Sequence, residues 1–157
     1  MIQREIEEVL ESIWTTNEKN DHSVEGIKKE CSIPLDLNML KELEERGFIA
    51  YEDSTILLTS KGKNESAKII RKHRLAERLL IDVLKVKVEH VESNACEFEH
   101  CLIDEASESI CVLLGHPREC PHGLPIPEGR CCKEAKRVIK NRVVPLDKLE
   151  VGEQGKV

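Results

Sequence analysis

A chain of 157 residues fits one ordinary domain or two small ones, and a formal net charge of -6 is not that of a free nucleic-acid binder, which needs local Lys and Arg to neutralise phosphate. With 39% hydrophobic but only 3% aromatic residues the core must be aliphatic, and the 34% charged fraction predicts exposed amphipathic helices. No apolar run is long enough to cross a bilayer and no signal-peptide core follows the first residues, so no membrane partner is expected. A cytoplasmic location follows, where the seven cysteines are ligands or inert thiols sooner than disulfides.

Ile2, Ile6, Val9, Leu10 and Ile13 recur at helical spacing and predict an amphipathic first helix ending near Trp14, with Glu8 and Glu11 on the face away from the apolar stripe. Residues 15–23 read as a polar loop. Val24, Ile27 and Cys31 mark a short helix, and Pro34 opens another that carries Leu37, Leu40 and Leu43 before Gly47. Two β-rich runs, 48–51 and 55–59, are split by Glu52-Asp53-Ser54 and predict a hairpin. Three helices and a hairpin within about sixty residues outline a winged helix-turn-helix. A long helix is then expected from residue 60 to about 84, a second over about 89–101, and a third from Asp104, as N-cap, to Gly115. Pro117, Pro121, Pro125 and Pro127 enforce an irregular loop, followed by a short basic helix from Lys133. The fold class is therefore mainly α, a winged helix-turn-helix over residues 1–62 followed by an all-helical domain over residues 63–142.

Cys96, Glu99 and His100 stand at i, i+3 and i+4 and share one helical face, and His73 with Glu77 repeats the i, i+4 arrangement on the preceding helix. Thiolate, carboxylate and imidazole form a mixed soft and hard ligand set. Such a set suits Fe(II), Mn(II), Co(II) or Zn(II) better than Ca(II) or Mg(II). No Ser-His-Asp order, phosphate-binding glycine loop or His-Glu-x-x-His pattern is present, so an enzyme is not expected.

The runs Lys72-His73-Arg74-Leu75-Ala76-Glu77-Arg78-Leu79-Leu80, Ala95-Cys96-Glu97-Phe98-Glu99-His100 and Pro121-His122-Gly123-Leu124-Pro125-Ile126-Pro127 closely resemble the metal-binding and dimerisation domain of the diphtheria toxin repressor family, the iron- and manganese-dependent repressors. The resemblance implies a homodimer whose winged helix binds palindromic double-stranded DNA when Fe(II) or Mn(II) occupies the helical domain. It implies an ancillary site of His73, Glu77 and Glu92, and a primary site of Cys96, Glu99 and His100 completed from the first helix by Glu8, with Glu11 one turn on. Cys96 leans toward the iron-type members, and the Glu8 and Glu11 pair toward the manganese type. Pro145-Leu146-Asp147-Lys148-Leu149 with Gly152 and Gly155 resembles the start of the family's SH3-like domain, so residues 143–157 are expected to begin one.

Cys111, Cys120, Cys131 and Cys132 fall outside those family sites and predict a second metal or cluster centre on the Pro-rich loop. Four thiols suit structural Zn(II), and a Cys-Pro step with an adjacent Cys pair leans slightly toward an iron-sulfur cluster; unrelated free thiols are the plain alternative. His116 or His122 can replace one thiol. For DNA, Asn38 and Lys41 on the third helix are candidates to reach bases or phosphates, and Lys61, Lys63 and Lys68 to grip the backbone beside the wing. Against that, residues 1–62 carry seven Lys or Arg and fourteen Asp or Glu, or 7 - 14 = -7. So acidic a head suits a protein-interaction module as a second reading, and the cysteine-rich loop suits a redox or cluster sensor as a third.

Overall fold

The computed structural model describes residues 2–142. The expected beginning of an SH3-like domain, 143–157, lies outside the described residues. Helix α1 spans Gln3–Glu18, α2 Val24–Glu30 and α3 Leu37–Glu45, and the strands β1, Ile49–Glu52, and β2, Thr55–Leu58, form an antiparallel hairpin with Ile49 opposite Leu58. Asp53 and Ser54, with φ of 46° and 63°, make its two-residue turn. The order is that of a winged helix. Its core is aliphatic, as the composition requires: Ile6, Val9, Leu10, Ile13, Ile27, Leu40, Leu43, Ile49 and Ile56 are buried together with Ile69 of the next helix.

That next helix, α4, spans Ser60–Arg78 and continues into a π-helical turn at Leu79–Val83. After a 3-10 turn at Val88–His90 come α5, Val91–Cys101, and α6, Asp104–Leu113; a loop then leads to α7, Arg130–Arg142. Helix α4 is the spine of the molecule. It enters the first core through Ile69, a second through Leu75 with Cys111, Cys120 and Ile126, and a third through Ala76 with Leu80, Val91 and Ala95.

Helix boundaries moved wherever a tertiary partner competed with a local signal. Helix α1 runs past Trp14 because Thr16 is buried and bonds back to Ser12, and because Glu18 meets Arg74 of α4 at 2.5 Å. Helix α3 starts at Leu37 rather than at Pro34, since the Asp36 carboxylate accepts from the Met39 amide at 2.8 Å and caps it. Asp104 is the first residue of α6 and not its cap; its carboxylate lies 3.0 Å from Lys72 Nζ. Helix α7 begins three residues before Lys133, because Glu108 of α6 accepts from the amides of Arg130 and Cys131.

Gly62, in the first turn of α4, lies against the backbone of the wing: a Cβ there would collide with the Phe48 carbonyl. The substitution Gly62→Ala is expected to cost about 1–3 kcal/mol of overpacking, readable as a lower denaturation midpoint in urea.

Candidate metal centre

Glu8 and Glu11 stand on the face of α1 away from its apolar stripe, where they are candidate ligands. Glu8 is buried and Glu11 half-buried, because that face of α1 packs on α4 and α5. A cavity of about 240 Å³ opens there, lined by Glu8, Glu11, His73, Glu77, Cys96 and His122 among others.

At one end of the cluster, Glu8 Oε1 lies 3.0 Å from His100 Nε2 and 4.0 Å from Cys96 Sγ. Glu7 reaches the other imidazole nitrogen of His100, Nδ1, at 2.8 Å, and Ser32 donates to Glu8 Oε2. Next along, Glu99 Oε2 lies 2.7 Å and Glu11 Oε1 3.3 Å from His73 Nδ1. The other oxygen of Glu99, Oε1, points toward His100 Nε2 at 3.6 Å. Glu99 thus stands between the two imidazoles and joins the two groups.

On the far side of the His73 ring, Nε2 faces Glu77 at 3.8 Å and the exposed Glu92 at 3.7 Å. Glu77 in turn lies 2.9 Å from His122 Nδ1, which is 4.0 Å from Cys120 Sγ. Glu77, Cys120 and His122 are therefore close enough to hold one ion, as are Glu8, Cys96 and His100, and Glu11, His73 and Glu99.

Among the clustered carboxylates, Glu11 holds a proton at neutral pH. Burial, then the adjacent charge of Glu99, pushes Glu11 up to about 8. Burial opposes the charged imidazole of His73, but the hydrogen bond to Glu99 and the charges of Glu11, Glu99 and Glu77 outweigh it and push the group up to about 9. Burial and the charges of Glu8, Glu99 and Glu11 push the Cys96 thiol up to about 12. His100 is raised as well: burial works against it, and the hydrogen bonds to Glu7 and Glu8 prevail.

The donor set fits a divalent ion on a separate ground. Glu99 Oε1 is buried and lacks a hydrogen-bond partner among the described residues, which is costly for a carboxylate oxygen unless a cation meets it.

The cysteine-rich loop does not assemble as the spacing suggested. Cys111, Cys131 and Cys132 come together with His116, whereas Cys120, expected with them, is drawn to Glu77 and His122. The loop is held by three arginines of α4, which explains the difference. Arg71 donates to the Pro127 carbonyl at 2.8 Å, Arg74 to Pro125 at 2.5 Å and Arg78 to Glu119 at 2.8 Å. This ladder lays the stretch from Glu119 to Pro127 along α4, so Cys120 lands beside Glu77, one position before Arg78. The pairing of Cys120 and His122 with Glu77 escaped the sequence because the loop has no periodicity; the Cys-Pro-His step was its only signal. The contact of Glu7 with His100 left none.

Of the residues expected to meet DNA, Asn38 and Lys41 are exposed on α3 and Lys63 on α4. Lys61 is engaged within the fold, donating to the Arg46 carbonyl at 2.7 Å with its ammonium 4.5 Å from the Phe48 ring centroid. Two further cations of α4, Arg71 and Arg74, are buried and add nothing to its basic surface.

Residues 59–128 match the family described as iron dependent repressor, metal binding and dimerisation domain. The chain is 35% identical over 99 residues to the iron-dependent repressor IdeR of Mycobacterium leprae, a match covering 62% of this chain and 43% of that protein. It is 26% identical over 133 residues to the diphtheria toxin repressor of Corynebacterium diphtheriae, covering 75% and 59%. Among solved structures it resembles the manganese regulator SloR (28% identity, TM-score 0.68, 78% of this chain and 59% of that one). It also resembles a manganese-dependent transcriptional repressor in complex with manganese (27% identity, TM-score 0.70, 79% and 59%). The chain spans less than two thirds of the length of these relatives. Residues 59–128, the helical region that carries the ligand cluster, belong to the metal-binding and dimerisation domain family of the iron dependent repressors, and with the winged helix in front of it the chain resembles the iron- and manganese-dependent repressors.

Proposed function

We propose that this chain is an Fe(II)- or Mn(II)-responsive transcriptional regulator in which metal binding orders a DNA-binding homodimer. The observation that carries the reading is the contact of Glu8 with His100 at 3.0 Å, because it puts a carboxylate of the winged helix among the donors of the helical region. Glu8, Cys96, His100 and the shared Glu99 would hold one ion, with Glu11 beside them. His73 and Glu77, with Glu92 or with Cys120 and His122, would hold the other. A divalent cation supplies positive charge there and relieves repulsion among Glu8, Glu11 and Glu99. These residues do the positioning: α1 is keyed into the winged-helix core by Ile6, Val9, Leu10 and Ile13, so fixing Glu8 against α5 fixes the orientation of α3. A palindrome is then read by two heads at set spacing. The exposed apolar residues Val83, Leu84 and Val88, between α4 and α5, offer surface for the second copy. Residues 1–62 would be the reading head, residues 63–142 the metal-binding and dimerisation domain, and the cytoplasm its location.

One observation favours a second reading. At the start of α3, where a base-contacting polar residue is wanted, Leu37 stands 61% exposed beside Asp36, and such a surface suits a protein partner.

Anaerobic fluorescence anisotropy with palindromic duplexes from the chain's own upstream region separates the two. The regulator reading expects salt-sensitive binding that needs Fe(II) or Mn(II) and weakens at least about tenfold in His100→Ala. Absence of DNA binding at every metal level would sink it and leave the interaction module.

Metal affinity should also depend on pH, with a sign fixed by the raised groups. His73 and Glu11, at about 9 and about 8, are protonated at neutral pH, and an ion on their lone pairs must displace both protons. Mn(II) affinity is expected to rise with pH from about 6 upward, by up to about tenfold per pH unit for each proton released, and above the two values to keep rising more gently because the Cys96 thiol, pushed up to about 12, also gives up a proton. Calorimetric titration across pH measures the slope, and Glu11→Gln should reduce it by one proton. A flat profile in the parent chain would contradict this account.

A further inference from the structure

A second cluster of ligand atoms, separate from the carboxylate-rich one, sits where α6, the loop and α7 converge. Helix α6 ends in a Schellman turn: Gly115 N donates to Val112 O at 3.0 Å and His116 N to Cys111 O at 2.8 Å. Gly115 and His116 are both left-handed, at φ 72° and 56°. That conformation is uncommon for a histidine, and it folds the imidazole back onto Cys111, with Nδ1 3.5 Å from Sγ. From the other side, Glu108 caps the first amides of α7 and so fixes Cys131 and Cys132. Cys132 Sγ is 3.5 Å from Cys111 Sγ and 3.8 Å from Cys131 Sγ, and all four ligand atoms lie within 4.8 Å of one another.

Those separations have a chemical meaning. A tetrahedral ion with metal–sulfur bonds of about 2.3 Å and metal–nitrogen bonds of about 2.0–2.1 Å spaces its ligands by about 3.5–3.8 Å. In a cubane the thiolates are bound to different irons and stand farther apart, so the iron-sulfur reading favoured by the Cys pair loses ground.

Arg71 is the independent sign of charge at this place. It is only 5% exposed, its guanidinium lies 3.2 Å from Cys131 Sγ and 3.8 Å from Cys132 Sγ, and its Nε has no hydrogen-bond partner among the described residues. Gly129 allows the approach, since a Cβ there would stand 2.7 Å from the guanidinium carbon. Glu108 meets the guanidinium on one side, and a site of net charge -1 in place of neutral thiols gives it a charged partner on the other.

We propose that Cys111, His116, Cys131 and Cys132 form a tetrahedral site for one structural Zn(II). Three thiols release three protons to solvent on binding, so that +2 - 3 = -1 is neutralised by Arg71. The ion braces both ends of the loop that carries Cys120 and His122 to Glu77. The inference does not depend on what the carboxylate-rich cluster binds.

The test uses the full chain and a background variant, His73→Ala with His100→Ala, that weakens the other cluster. One zinc per chain is expected to survive dialysis against a mild chelator in both. In the background variant Cys132→Ser should lose that ion and Cys120→Ser should keep it. Cobalt(II) in place of zinc should give the intense visible bands of a tetrahedral thiolate site, shifted but retained in His116→Cys. A measurement on the unmutated chain guards against misfolded variants: Cys131 and Cys132, both partly exposed, should resist iodoacetamide in the metal-loaded protein and react once the metal is stripped, while the exposed Cys101 reacts throughout. The proposal is overturned if no zinc is retained, if Cys132→Ser retains it, if Cys131 and Cys132 alkylate as fast as Cys101 in zinc-loaded protein, or if the chain carries acid-labile sulfide.

Discussion

The face of α1 that bears Glu8 and Glu11 is pressed against His73, Glu99 and His100, and the rest of the molecule is arranged around that contact. Buried carboxylates repel one another, and leaving one without a partner costs several kcal/mol. Helix α1 cannot relieve the repulsion by swinging out alone, because its opposite face fills the winged-helix core, so it can leave only with the whole head. Protons on Glu11 and the two raised imidazoles keep the assembly tolerable. A set of groups that stays together only by holding protons or a cation is poised to respond to either.

The arginines of α4 solve a different problem. The loop after α6 is rich in proline and lacks a core of its own, so its carbonyls need donors from elsewhere. Arg71, Arg74 and Arg78, at i, i+3 and i+7, supply them along one helix face. Arg74 also holds Glu18, at 3.1 and 2.5 Å, so one side chain ties the end of α1 to the loop. The loop thereby belongs to the metal-bearing region even though it forms no regular structure. Its two ends meet at Cys111, His116, Cys131 and Cys132, and its middle delivers Cys120 and His122 to Glu77.

Periodicity made most of the architecture legible. Apolar residues three and four apart marked the first three helices, and within α5 the spacing of Cys96 and His100 was enough to place them on one face, because helical geometry is local. What spacing could not convey was which partner each face would meet. For Glu8 the spacing gave only a polar side of an amphipathic helix, and its place among the ligands came from the resemblance; here that side is a second interface. Cys120 looked like the fellow of Cys131 and Cys132 because all three lie on one loop, yet a left-handed His116 and a ladder of arginines decide their company. Arg71 and Arg74, cations that would ordinarily face solvent, are buried among carbonyls, thiols and Glu18. In each case the deciding interaction joins residues far apart in the chain, at positions where local propensity is silent.

For a switch, the acidic character of α1 matters more than the ligand count. Moving a two-state equilibrium from 1:99 to 99:1 needs about 5.5 kcal/mol of preference, roughly a 10⁴-fold difference in affinity between the arrangements. Cys96, Glu99 and His100 share α5 and are present in either arrangement, so they contribute affinity and no preference. Only donors that leave with α1 can bias the equilibrium. If each such carboxylate is worth roughly 10–100-fold in metal affinity, one alone falls short and two together reach about 10²–10⁴. On that reckoning the proposed switch needs Glu8 and Glu11 as a pair. The protons that keep Glu11 neutral and His73 cationic at pH 7 would then set the threshold of metal concentration at which the pair acts.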